Sequence, residues 1–149
     1  MRIFSTPKIG DEMTPKEVVQ KGYDCFSTGD MATFKTLFSD SAIIKNNGMH
    51  KFSGTYHGAD DFINNLLVHI PSHFVNFKVE TVQMISEGNH VFSMLHATAD
   101  GMDADFGHFF KVENEKITEW HVFDDSQKRE LDASQAIRTA GQSVVECLC

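Results

Sequence analysis

Three side chains able to move a proton or hold a metal fall together late in the chain. They are His108, Glu119 and His121, within GHFFKVENEKITEWHVFDD at residues 107–125. The β-formers Phe110, Val112, Ile117, Trp120 and Phe123 alternate there with polar residues. That pattern predicts two strands, His108–Val112 and Lys116–Phe123, joined by a turn at Glu113–Glu115. A sheet that carries imidazoles into its centre makes a wall for a pocket, and the hairpin register decides which ones meet. A two-residue turn at Asn114-Glu115 opposes His108 to His121 and puts Glu119 on the same face, as an acid–base pair or a zinc-binding group. An odd-length turn instead sets His108 with Trp120 and Val122, and turns His121 and Glu119 away. The sequence leaves both open. Spacing along strands lacks the force of two histidines one helical turn apart, so no metal is expected.

The remaining reactive residues read more plainly. His50, His57, His69 and His73 occupy loop and helix-end positions and are expected at the surface, His69 with favourable charge at a helix C-terminus. Asp100, Asp103 and Asp105 lack the rest of a calcium loop and are expected to be a solvated connection. Cys25 has no histidine in a defined relation to it, so it is not expected to be a nucleophile. Tyr23 and Phe26 either line the mouth of a cavity or simply pack.

These groups need elements to hold them. Thr14-Pro15-Lys16-Glu17 carries the signs of a capping box, with Pro at the first helical position, and Gly29 is a natural stop. Asp30 caps a second, shorter helix whose inner face is Met31, Phe34, Leu37 and Phe38, broken by Ser39-Asp40-Ser41. A short strand, Ala42–Lys45, ends at the turn signal Asn46-Asn47-Gly48, and Met49–Gly58 reads as loop or short strand. A third helix is expected from Ala59 to about His69, with Pro71 closing it. The period then changes to two. Val75, Phe77 and Val79 alternate, and a slip of phase before Val82 and Met84 predicts a bulge near Glu80-Thr81. Val91–Thr98 reads as a central strand, Asp100–Phe106 as an acidic connection, and Ser126–Arg138 as a polar helix. Helices followed by antiparallel strands give an α+β order, with a cavity between helix and bent sheet.

Composition sets the limits. The chain of 149 residues is expected to form one domain, residues 14–126, with a lead-in at 1–13 and a C-terminal extension at 127–149. A formal charge of −8 with no basic run argues against nucleic acid or an anionic membrane as partner. No apolar stretch approaches the roughly 20 residues of a membrane span. The absence of a signal-like apolar region makes a cytoplasmic location the expectation. Cys25, Cys147 and Cys149 form no disulfide framework and read as free thiols.

Three stretches resemble the NTF2-like superfamily, in particular its SnoaL-like and ketosteroid-isomerase-like branch. VVQKGYDCFSTGDMATFKTLFSDSAII is similar to that family's opening helix, Gly-Asp link, second helix and first strand. Phe52-Ser53-Gly54-Thr55-Tyr56-His57-Gly58-Ala59 resembles the approach to its third helix, and FKVENEKITEWHVFDD its closing hairpin and terminal Asp. The resemblance implies a cystatin-like cone, with three N-terminal helices on a strongly curved, mostly antiparallel sheet. It also implies a small apolar ligand and no cofactor.

The resemblance assigns residues as well. His108 matches the catalytic His of the cyclases, but the position of their partnering Asp falls on Val122. The isomerases' general-base Asp falls on Asn46, whose amide cannot take a proton at neutral pH. Their helix-borne tyrosine falls on Gly22, with Tyr23 about 100° round the helix. His108 is then the acid–base candidate and Asn46 a hydrogen-bond donor, with Tyr23, Phe26, Trp120 and Val122 around the ligand. A buried imidazole with no carboxylate beside it is expected to be neutral. Two functions follow: an isomerase- or cyclase-like acid–base catalyst, or a non-catalytic binder of a small molecule or protein. Apolar residues on both faces of the closing strands predict a homodimer through the outer face of the sheet.

Overall fold

The computed structural model describes residues 12–124. The lead-in before Glu12, the polar helix expected at Ser126–Arg138, Cys147 and Cys149 all lie outside the described residues. The first helix, α1 (Pro15–Thr28), starts as the sequence specifies. Thr14 Oγ1 accepts from the Glu17 backbone N–H (3.2 Å), and Glu17 Oε1 accepts from the Thr14 N–H (2.9 Å). These bonds satisfy amides that a helix start leaves unpaired. Gly29 ends the helix at φ 76°, where a side chain would be strained. Asp30 caps α2 (Met31–Thr36) by accepting from Thr33 N–H.

Several boundaries depart from expectation. Strand β1 runs Phe38–Asn46, because Ser39-Asp40-Ser41 do not break the chain but sit in a register shift between Phe38 and Ile43. Gly54–His57 forms a short strand, β2. The third helix is divided into α3 (Gly58–Asn65), a 3₁₀ turn at Leu67–His69 and α4 (Ile70–His73). Pro71 opens α4 rather than closing α3, since a helix's first residues need no N–H donor. Val75 lies before the sheet and is exposed. Strands β3 (Lys78–Glu87), β4 (His90–Ala99), β5 (Met102–Glu113) and β6 (Lys116–Asp124) follow. The expected acidic connection is mostly strand. Met102 and Ala104 are buried on one face of β5 while Asp103 and Asp105 face water on the other.

The six strands form one sheet in the order β2-β1-β6-β5-β4-β3, and every neighbouring pair is antiparallel except β1 with β6. A bulge between Thr81 and Gln83 bends β3, next to the predicted place. The helices lie against the concave face and bury Val18, Val19, Phe34, Phe62 and Ile70 with Ile44, Phe110 and Ile117 of the strands. This is the α+β cone that the sequence implied.

The β5–β6 hairpin combines the two open registers. Glu113 pairs with Lys116 across a two-residue turn in which Asn114 (φ 53°) and Glu115 (φ 63°) are both left-handed, as such turns require. Asn accepts that conformation readily and Glu does not. Glu115 has a tether, because its Oε1 accepts from the Met13 backbone N–H at 3.0 Å. One residue further on, Val112 pairs with Ile117 but Lys111 with Glu119, so Thr118 is an extra residue in β6. The Thr118 hydroxyl donates to the Lys111 carbonyl (3.2 Å). Beyond that bulge the register is the one an odd-length turn would give. His108 pairs with Val122, and Glu119 and His121 turn to the outer face.

Candidate functional site

Between α1 and the concave face lies a cavity with about 100 Å³ for the centres of water-sized spheres. One water needs only about 10–15 Å³ of such space. All six residues singled out from the sequence, Tyr23, Phe26, Asn46, His108, Trp120 and Val122, line it. The rest of the wall is apolar, with six phenylalanines in it, and no Asp, Glu, Lys or Arg is among the described residues that line it. A wider hollow of about 830 Å³ adjoins it through the shared walls Phe26, Leu67, Ile70, Phe77 and Val79, and there Lys78, Glu80 and His96 add charge.

His108 is placed by alternation along β5, which sends Phe106, His108 and Phe110 to the cavity and Phe109 away from it. Only 7% of it is exposed. Its ring sits among those of Tyr23, Phe106, Phe110 and Trp120, the closest centroid being Trp120 at 5.0 Å, edge to face. Tyr23 Oη lies 2.9 Å from His108 Nδ1. Burial pushes the Tyr23 phenol far above its usual range, and the Ser93 hydroxyl beside it opposes that rise. The phenol therefore keeps its proton and can donate it in a hydrogen bond.

Asn46 ends β1, paired with Val122 of β6. Its Nδ2 donates to the Phe52 carbonyl (3.1 Å), which also accepts from the Tyr56 hydroxyl (2.7 Å). Asn46 Oδ1 is buried with no hydrogen-bond partner among the described residues, and so is Trp120 Nε1. One acceptor and one donor are thus held in the wall of an apolar cavity without a partner among the described residues. Phe26 sits where the two hollows meet, edge-on to Phe77.

Two features were not read from the sequence. Ser93 is fully buried on β4, directly paired with His108. The signal was a lone hydroxyl on the inward alternation of Val91, Leu95 and Ala97. The second feature corrects the expectation of a surface His50. Its side chain is 4% exposed, Nδ1 accepts from Phe52 N–H (3.1 Å), and Nε2 lies 3.7 Å from Asp124 Oδ2. His73 is half-buried, edge-on to Phe52, whereas His57 and His69 are exposed as expected. His69 ends the 3₁₀ turn instead of α3, so the helix-dipole role does not arise in the expected form.

On the outer face His96 meets two carboxylates, with Nδ1 2.6 Å from Asp105 Oδ1 and Nε2 3.1 Å from Asp103 Oδ1. The hydrogen bond to Asp105 raises its pKa. His121 lies 3.5 Å from Glu119 there, one residue from His108's partner Val122 but on the opposite face of the sheet. Among the described residues no three His, Cys, Asp or Glu side chains are grouped to hold a metal ion, and no helix is long and apolar enough to cross a membrane. Cys25 is buried on α1, and that burial raises its thiol pKa.

Comparison with known proteins agrees with this architecture. Residues 19–120 match the family model of the SnoaL-like domain. An NTF2-like protein from Burkholderia thailandensis E264 superposes with TM-score 0.72 at 17% identity, over 80% of this chain and 97% of that one. An NTF2-like protein of unknown function from Cytophaga hutchinsonii ATCC 33406 gives 0.65 at 18%, over 79% and 96%. TerC, co-crystallized with polyporic acid, gives 0.70 at 18%, over 81% and 99%. At such identities the likeness establishes the fold. No curated protein matches the sequence.

Proposed function

The chain belongs to the SnoaL-like domain family of the NTF2-like superfamily, and from that premise we propose that it binds a neutral, largely apolar, carbonyl-bearing small molecule and moves a proton on it, in an isomerase- or cyclase-like manner. The observation that carries this reading is the 2.9 Å contact of Tyr23 Oη with His108 Nδ1 inside a cavity otherwise walled by apolar groups. His108 is the acid–base group. Asn46 takes a different part from the donor role suggested by sequence, because its amide nitrogen already serves Phe52. It would accept a hydrogen bond from a ligand hydroxyl, and Trp120 Nε1 would donate to a carbonyl as it becomes an oxyanion. A buried polar group left unpaired costs about 1–3 kcal/mol, so a ligand that pairs these two is favoured over a plain hydrocarbon.

The test is proton exchange at carbon. Neutral aryl ketones incubated with the protein in heavy water should lose the NMR signals of hydrogens next to the carbonyl. His108→Gln should abolish that loss and leave the thermal melt intact. Exchange at the wild-type rate in His108→Gln would refute the reading. A non-catalytic binder is the second reading, favoured by Val122 standing where the cyclases carry Asp. The chain's single tryptophan is Trp120, in the cavity wall, so its fluorescence reports binding directly. Polyporic acid is the first probe. Quenching with no exchange on any ketone would establish the binder.

We also propose a homodimer through the outer face of the sheet. Phe92, Met94, Phe109 and Phe123 are each more than a third exposed there, on three adjacent strands.

A further inference from the structure

We propose that Ser93 is the far end of a hydrogen-bond relay through Tyr23 that decides which nitrogen of His108 carries the proton. The inference rests on the reading of His108 as the reacting group. A neutral imidazole has one N–H and one lone pair, and the partner of one nitrogen fixes the state of the other. With the Tyr23 hydroxyl donating to Nδ1 (2.9 Å), the proton must sit on Nε2, the nitrogen that Tyr23 does not engage. In that state His108 can offer a ligand a hydrogen bond but cannot accept a proton.

To act as a base the ring must carry its proton on Nδ1. Nδ1–H then donates to the phenol oxygen, and the phenol O–H needs another acceptor. A phenol in this apolar setting cannot discard its proton instead, because burial strongly disfavours the phenolate. Ser93 supplies the acceptor. It is paired with His108 across β4 and β5, fully buried, close enough to the phenol to act on its titration, and its Oγ forms no hydrogen bond among the described residues. When Nε2 takes a proton from a ligand carbon, the imidazolium keeps Nδ1–H on Tyr23 and Tyr23 O–H on Ser93. The same proton returns to the ligand from Nε2, and no charge builds on phenol or serine. Ser93 is thus a positioning residue that makes the base form of His108 available.

The experiment needs no ligand. Ring-nitrogen NMR of the full chain, labelled with nitrogen-15 and with His108 assigned by difference from His108→Gln, reads the tautomer directly. The wild type should show both tautomers in exchange. Ser93→Ala should lower the Nδ1–H fraction about fivefold to tenfold, the size of one net hydrogen bond, and Ser93→Thr should restore it. With Tyr23→Phe the link is broken, so adding Ser93→Ala should change nothing further. An unchanged ring in Ser93→Ala overturns the relay. So does a Ser93→Ala effect that persists beside Tyr23→Phe, which would be packing alone. A tautomer shift in a protein that exchanges no ketone hydrogen would refute the catalytic reading and leave the relay standing.

Discussion

His108 and His96 stand on adjacent strands of one sheet, on opposite faces, and the sheet gives them opposite surroundings. His96 on β4 is held between Asp103 and Asp105, which keep it cationic to higher pH than an ordinary histidine. His108 on β5 has a neutral phenol on Nδ1, aromatic rings around it, and no carboxylate among the described residues that line its cavity. The first arrangement fixes a charge at the surface. The second sets a phenol, able to donate or to accept a hydrogen bond, against one ring nitrogen. Residue type is the same, so the difference lies in which face of the sheet each side chain reaches. Alternation and register are therefore the determinants of chemistry here.

The most drastic way to break that contrast is to change the parity of β6 beyond its bulge. An alanine inserted between Trp120 and His121 turns His121 and Phe123 to the concave face and Val122 outward, or else slips the end of the strand. We expect loss of the cooperative thermal transition by circular dichroism. A normal melt would show that alternation along β6 does not hold the two faces apart. Next in size is truncation on the two faces at neighbouring positions. Phe110, 2% exposed in the core, should cost about 3–5 kcal/mol on replacement by Ala. Phe109, 36% exposed, should cost about 1 kcal/mol or less in the isolated protomer. Equal shifts of the urea midpoint would mean that the outer face is as well packed as the inner one.

A third prediction sharpens the role of that outer face. Phe109→Lys combined with Phe123→Lys should convert the proposed dimer to monomer in light scattering, with the cavity and His108 untouched. A wild type that is already monomeric at micromolar concentration removes the proposal.

The smallest effect expected is the stability held by His96. Its folded pKa is raised, so its contribution is complete below the unfolded value of about 6.5 and is lost as pH rises through the folded value. Asp105→Asn should flatten the dependence of the urea midpoint across that window. A dependence of the same size in Asp105→Asn would assign it to another group.

Much of the cone was legible in the sequence. The capping box at Thr14, the stop at Gly29 and the change of period, read from Val75 and realised from Lys78, are local signals, and local physics decides them. The six site candidates came from the family resemblance; helical and strand periods carry Tyr23, Phe26 and His108 to the cavity, whereas Trp120 and Val122 reach it through the bulge at Thr118. What was not legible depends on long-range partners. Glu115 holds a left-handed backbone with its carboxylate bound to Met13, about a hundred residues away, and nothing within the hairpin signals it. The bulge at Thr118 is settled by the need to bury Trp120 and Val122 together with Phe110. His50 reads as a loop histidine until β6 brings Asp124 beside it. Met102–Phe106 is a different case, since its alternation was present and the acidic residues obscured it.

The pairing of β1 with β6 has a consequence in time. Strands β3 to β6 form a meander in which every partner is the next strand in the chain, so they can assemble through short loops. Strand β1 joins the sheet only through β2 on one side and β6 on the other, and β6 is the last strand of the described fold. Contacts of such sequence separation are slow to close. During synthesis the apolar side of β1, with Phe38, Ala42 and Ile44, must wait some eighty residues for its neighbour, which at about 5–20 residues per second is several seconds. The chain therefore emerges with its first strand committed to a partner not yet made, and that interval is when a holding chaperone, or a second nascent copy, would find an open edge.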